Sequence, residues 1–175
     1  MLKHLDELPK DQHYEIGMYG GKFLPMHKGH LYCIEQASKL CDNLYLLLFY
    51  GGAGEEFVRK SDDRKMLYIT NRLKQMNKVS LMFDNVIPHL VDISECKLPN
   101  GNEDWDAETP LVLDIIGRQP DVVFGSEPVA YAPYFERAYP QADYIVIDAE
   151  RKTVPISATM IRNEMSEEEA KKWIV

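Results

Sequence analysis

The stretch Gly20-Gly21-Lys22-Phe23-Leu24-Pro25-Met26-His27-Lys28-Gly29-His30 separates a strand-like apolar run, Tyr14 to Tyr19, from a helix-like run, Leu31 to Leu40. A strand that passes through glycines into a helix builds a phosphate site. Gly20 and Gly21 let the backbone approach an anion closely, and the N–H groups opening the next helix sit at the positive end of its dipole as donors. Lys22, His27 and His30 add side-chain donors. Histidines three apart in a first helical turn share a face, so both imidazoles can point at one polyphosphate.

Other phosphate and metal motifs fit less well. A P-loop needs glycine five residues before the Gly-Lys pair and Ser or Thr just after it, where this chain has Ile16 and Phe23. No Gly-x-Gly-x-x-Gly follows the strand, which removes the dinucleotide fingerprint. Zinc on His27, His30 and Cys33 is allowed by spacing, but no second compact Cys or His cluster completes a tetrahedral set. A tight turn with two solvated histidines is the plain alternative.

Short apolar or β-branched runs bounded by turn residues predict five strands, at Tyr14 to Tyr19, Asn43 to Tyr50, Val86 to Asp92, Asp121 to Phe124 and Asp143 to Asp148. Helical spacing recurs in Leu31, Ile34, Ala37 and Leu40, and again in Met66, Ile69, Leu73 and Met76. Ser61 and the two aspartates after it suit a helix N-terminus, and Asp106 to Gly117 and Val129 to Tyr139 supply further helices. Gly51-Gly52-Ala53-Gly54 reads as a flexible loop, and Asn100 to Asp104 as the most polar loop. The alternation predicts an α/β, Rossmann-like three-layer sandwich around a central parallel sheet of about five strands. Ligands of such sheets bind beyond the carboxyl ends of the strands. The glycine–histidine segment, Gly51 to Gly54 with Arg59 and Arg64, the polar loop with Trp105, Gly125-Ser126-Glu127, and Arg151, Lys152 and the segment after them all follow strands.

The segment around His27-Lys28-Gly29-His30 resembles the His-x-Gly-His motif of the nucleotidyltransferase superfamily, whose members join a nucleoside monophosphate to an acceptor phosphate and release pyrophosphate. Ile156-Ser157-Ala158-Thr159-Met160-Ile161-Arg162 is similar to that superfamily's C-terminal Ile-Ser-x-Thr-x-x-Arg motif. Gly-Lys-Phe before the histidines, and Pro120 to Glu127, resemble the NadR-type nicotinamide mononucleotide adenylyltransferases. The resemblance runs from about Glu15 to Arg162. It implies transfer of AMP from ATP to nicotinamide mononucleotide, with NAD and pyrophosphate as products. A pantetheine-phosphate adenylyltransferase, a glycerol-phosphate cytidylyltransferase and a non-catalytic nucleotide-binding regulatory module are the alternatives.

Roles follow from the resemblance together with the chemistry of each residue. His27 and His30 are the expected donors to the transition-state phosphate, and Lys22 and Arg162 hold the triphosphate. ATP binding is expected at Gly21, Phe23, Gly29, Gly125, Ser126, Glu127, Ile156, Ser157 and Thr159. Ser157 and Thr159 sit where a helix begins, and an ordinary N-cap would use one of them. Glu127 contacts ribose or adenine, or caps the following helix. For the acceptor, Arg64 meets the mononucleotide phosphate or is a solvated arginine, and Trp105 stacks on the pyridinium ring or belongs to the core. Carboxylates at ligand spacing do not occur, so Mg²⁺ is expected to arrive with the ATP phosphates, without an all-protein metal site.

At 175 residues the length suits one nucleotidyltransferase domain, with residues 1–13 as an N-terminal extension and 165–175 as a short C-terminal helix. That leaves no room for the DNA-binding segment or kinase domain that NadR-type proteins can carry. A net charge of −8 without a Lys/Arg run disfavours extended nucleic acid and anionic membranes as partners, leaving ATP and the mononucleotide. Homo-oligomer formation is left open. Cys33, Cys41 and Cys96 are odd in number and lack disulfide spacing, and no apolar stretch has signal-peptide or membrane-spanning character, so a cytoplasmic protein is expected.

Overall fold

The computed structural model describes residues 1–126 and 129–175. Six strands form one sheet in the order β1-β6-β5-β2-β3-β4, and every pairing is parallel. They are β1 (Leu2–His4), β2 (Tyr14–Gly21), β3 (Cys41–Tyr50), β4 (Val86–Asp92), β5 (Val122–Gly125) and β6 (Asp143–Val146). The chain starts its main sheet at β2, winds outward through β3 and β4, then returns to place β5 on the other side of β2. The carboxyl ends of β2 and β5 therefore form the crevice where an open parallel sheet takes its ligands.

Among the described residues, five α-helices lie between strands, α1 (Lys28–Ser38), α2 (Ala53–Ser61), α3 (Ile69–Ser80), α4 (Trp105–Ile116) and α5 (Ala132–Ala138), and two follow β6, α6 (Ala158–Glu164) and α7 (Glu167–Ala170). Alternation along the central strands feeds two cores. Leu46, Leu48, Val122 and Phe124 join Ile34 and Ala37 of α1 and Met76 and Val79 of α3. Their neighbours Leu47 and Val123 point the other way, against Val112 and Ile116 of α4 and Ala138 of α5. A strand buried on both faces must be apolar at consecutive positions, as Leu46-Leu47-Leu48 is. A third cluster joins Ile156, Ile161 and Ala170, with Trp173 and Ile174 packed against it.

The structure corrects the sequence reading in three places. The sheet has a sixth strand, β1, inside the segment read as an extension. Three residues carry no legible period, and the strand is recognisable only through its pairing with β6, from Leu2 opposite Tyr144 to His4 opposite Val146. Ser61 ends a helix and does not begin one: α2 occupies Ala53–Ser61, with Asp62 as its C-cap. Only Glu55 of that helix is buried, so its apolar pattern was too weak to read. The segment expected as one helix from Val129 begins as a 3₁₀ turn, Val129–Tyr131, before α5.

Candidate active site

The glycines that end β2 serve packing first. A Cβ on Gly20 would lie 2.6 Å from the Phe49 ring, and one on Gly21 2.9 Å from the Phe23 ring. Phe23, at φ 50°, is buried beneath Gly21 and sets its ring edge-on to His30, with centroids 4.9 Å apart. Gly29 leaves room for the His27 ring, which would lie 2.8 Å from a Cβ there. These close approaches fix the imidazoles.

His27 is the N-cap of α1. Its Nδ1 accepts from the Gly29 N–H at 3.0 Å, while its own N–H donates to His30 Nδ1 at 3.1 Å. A nitrogen that accepts carries no proton, so each neutral ring holds its proton on Nε2. The rings stack with centroids 3.7 Å apart. Burial, then the positive charge of Arg151, lowers His27 to about 4. Burial first, then His27 and Arg151, holds His30 well below its usual value of 6.5. Two neutral Nε2–H donors result.

The backbone donors expected at the start of α1 are already engaged. The Lys28 N–H donates to Trp173 O at 2.8 Å and the Gly29 N–H to His27. A bridge between His27 and Ile174 completes this cover. Hence the histidine side chains, and not these two amides, are what this helix end can offer an anion. The zinc alternative loses its donors in the same way, because both Nδ1 atoms face backbone N–H groups. Cys33 lies in the core with its thiol raised by burial to about 12.

The second motif meets the first. Asp148, at φ 50°, accepts the N–H groups of Lys152, Thr153 and Val154 and so turns the chain back after β6. Arg151, at φ 54°, donates to Ile156 O at 3.1 Å. Ile156 is fully buried, and its Cγ2 would lie 3.5 Å from a Cβ on Gly29. Ser157 caps α6 by accepting the Met160 N–H at 3.1 Å. Arg162 donates to Leu24 O at 2.6 Å and lies 3.4 Å from Thr159 Oγ1. Residues more than a hundred positions apart thus share one rim. The sequence placed Arg151 on the rim, directly after a predicted strand, but assigned it no role there.

The remaining expected residues lie around this rim. A Cβ on Gly125 would lie 2.8 Å from the Tyr144 hydroxyl, so this glycine lets β5 and β6 pack. Ser126 is half-buried at the end of β5, and Glu127 lies outside the described residues. Lys22 Nζ sits 2.5 Å from Glu103 Oε2, between the loops after β3 and β4. Fully buried Arg72 donates to the Lys22 carbonyl at 2.9 Å and pairs with Glu55, whose other oxygen takes the Gly51 N–H. Ala53 and Gly54, expected in a flexible loop, are the first residues of α2, and the Arg72–Glu55 pair holds Gly51 and the start of α2 against the turn that carries Lys22, a function the sequence did not signal. Trp105 opens α4, stacked on Tyr131 at 5.1 Å and edge-on to Tyr134 at 5.1 Å.

Arg64 is bound differently from the sequence expectation. It pairs with Asp62 at 2.5 Å and donates to the carbonyls of Ile161, Arg162 and Met165 at the end of α6. Its guanidinium therefore caps a helix C-terminus.

A family model described as cytidylyltransferase-like matches residues 18–164. The trifunctional NAD biosynthesis/regulator protein NadR of Salmonella typhimurium is 25% identical over 158 residues, which cover 89% of this chain and 38% of that protein. The chain thus spans well under half the length of this relative. Phosphopantetheine adenylyltransferase of Streptococcus sanguinis is 53% identical over 36 residues, 21% of this chain and 22% of that one. Among solved structures, a NadR protein in complex with NR superposes with a TM-score of 0.63 at 22% identity, covering 93% of this chain and 44% of its own.

Proposed function

The chain belongs to the cytidylyltransferase-like family, and we propose that it transfers the adenylyl group of ATP to nicotinamide mononucleotide. In that reaction an oxygen of the acceptor's phosphate attacks the α-phosphorus of ATP. The bond from that phosphorus to the bridging oxygen breaks, and pyrophosphate leaves with the electron pair, giving NAD. The protein's task is to align the two phosphates and offset the charge that develops. The observation that carries the reading is the His27–His30 pair, two neutral rings with their Nε2–H donors set by backbone hydrogen bonds. A donor fixed before the substrate arrives needs no reorganisation in the transition state.

Arg151 and Arg162 supply permanent positive charge on the same rim, suited to the departing pyrophosphate. Lys22 lies at the loops after β3 and β4, with Trp105 opening α4 after that second loop. The acceptor's ring belongs beside Trp105. The outer face of the stacked Trp105–Tyr131 pair suits a cationic ring, since an aromatic face attracts a cation. NadR-named relatives in both comparisons support nicotinamide mononucleotide over other acceptors. The short stretch of higher identity to a phosphopantetheine adenylyltransferase supports phosphopantetheine as the second candidate.

Among the described residues, no group of three or more His, Cys, Asp and Glu side chains could hold a metal ion. We assign Mg²⁺ to the nucleotide, whose phosphates it would partly neutralise. Three buried free thiols suit a cytoplasmic setting, and no helix of the described residues is long and apolar enough to cross a membrane.

An acceptor panel tests the reading. Pyrophosphate release is followed with ATP or CTP against nicotinamide mononucleotide, its acid analogue, phosphopantetheine and glycerol phosphate. Turnover with ATP and nicotinamide mononucleotide, lost with chelator and restored by Mg²⁺, is expected. Faster turnover with phosphopantetheine or with CTP would reassign the acceptor or nucleotide, and release with none of them would leave a binding module.

A further inference from the structure

The ammonium of Lys22 is held by a carboxylate that is itself held. Glu103, whose Oε2 meets Lys22 Nζ at 2.5 Å, directly precedes Asp104, the N-cap of α4, and Glu108 is the fourth residue of that helix, two positions whose side chains meet at a helix start; each carboxyl feels the other. Glu108 is only 8% exposed, and its buried Oε1 has no hydrogen-bond partner. Two carboxylates in contact in a poorly solvated crevice cannot both be ionised. One proton between them turns repulsion into an O–H···O⁻ bond, which is short and strong. Lys22 reaches Glu103, so the proton belongs on Glu108. The other groups facing Glu108 are Asp104 at the head of its helix, Cys96 from the preceding loop, and Tyr134 and Tyr139 beside α5. Lys22 is the cation among them.

We propose that Glu108 and Glu103 are positioning residues for Lys22: Glu108, as a carboxylic acid, donates to the Glu103 carboxylate, which fixes the Lys22 ammonium for the phosphate of a bound substrate. The proposal rests on the reading of Lys22 as a phosphate-binding residue. Burial, then Glu103, raises Glu108 to about 9. Burial alone would raise Glu103 too, but hydrogen bonds from Glu108 and Lys22 hold it below the usual range. Above about pH 9 the shared proton leaves. A second negative charge then faces Lys22 and weakens its hold on phosphate.

The test compares the parent with E108Q, E108A and E103Q. Carboxyl ¹³C NMR of the substrate-free protein should show one glutamate titrating near pH 9, absent from E108Q. Pyrophosphate affinity by calorimetry, and KM and kcat where turnover is found, are followed across the alkaline range. E108A should lose about tenfold in affinity. E108Q, which keeps an N–H donor, should recover most of that loss and move the alkaline limb upward by at least one pH unit. E103Q should weaken binding about fivefold. No glutamate titrating above pH 6 would overturn the shared proton, and coincident alkaline limbs in parent and E108Q would overturn the positioning role. Tighter pyrophosphate binding in E103Q would show that Glu103 competes with phosphate instead of placing Lys22. A parent that turns over no acceptor sinks the proposed function, while the NMR and calorimetry still decide the carboxyl pair.

Discussion

A ring nitrogen that caps a helix cannot also carry a proton, and at His27 this rule joins stability to chemistry. Nδ1 accepts the Gly29 N–H, so the proton sits on Nε2. Asparagine is a strong N-cap but has no imidazole. His27→Asn is therefore expected to keep a denaturation midpoint near the parent's while turnover falls about a hundredfold, the scale for removing a preorganised donor. Urea unfolding and initial rates on one preparation check both halves, and turnover within a few-fold of the parent would remove the catalytic role. The sequence placed these histidines on one helical turn. It did not say which nitrogen faces a substrate, because that depends on the cap geometry and on Phe23 folding back against His30.

At the scale of elements, α6 is a seven-residue helix that carries Ser157 as its N-cap and Arg162 on its last turn. A helix so short is marginal alone, and its terminal carbonyls need partners. Arg64 supplies them, held in turn by Asp62. Arg64→Ala should cost about 1–3 kcal/mol of stability, the range for charged hydrogen bonds left unmade. It should also raise the KM for ATP more than that for the acceptor, since the helix it steadies presents Arg162. The sequence reading of Arg64 as an acceptor-phosphate ligand predicts the reverse, a raised acceptor KM at unchanged stability. Chemical denaturation with a KM pair separates them. The two readings part at α2: with Ser61 taken as a helix start, Arg64 falls near a first helical turn, whereas α2 ends there and Arg64 turns toward α6.

For the molecule as a whole, the buried rings set a pH dependence. His27 and His30 titrate near 6.5 when unfolded and well below that when folded, His27 at about 4. Between those values the unfolded chain binds more protons, so stability is fully present above about 6.5 and lost as pH falls toward 4. Glu108 acts in the opposite direction: its folded value of about 9 lies above the usual 4.5, so its contribution weakens as pH rises through that window. The two effects oppose below pH 6.5, where two histidines outweigh one glutamate, so the urea midpoint is expected to drop toward pH 4, less steeply in His27→Asn, and to decline again as pH rises from 6.5 toward 9. A midpoint of Glu108→Gln flat across that acid range, with the opposing glutamate removed, would contradict the neutral buried histidines. The sequence by itself determined the alternation of strands and helices, the side of the sheet on which the rim lies, and the two motifs that meet there, because apolar period and turn residues are local properties of the chain. Tertiary structure alone decided the edge strand β1, the Arg151 charge that the histidines feel, the capping role of Arg64, and the Lys22–Glu103–Glu108 chain. Each of these depends on which groups lose water together, and residues distant in sequence settle that only when the sheet closes around them.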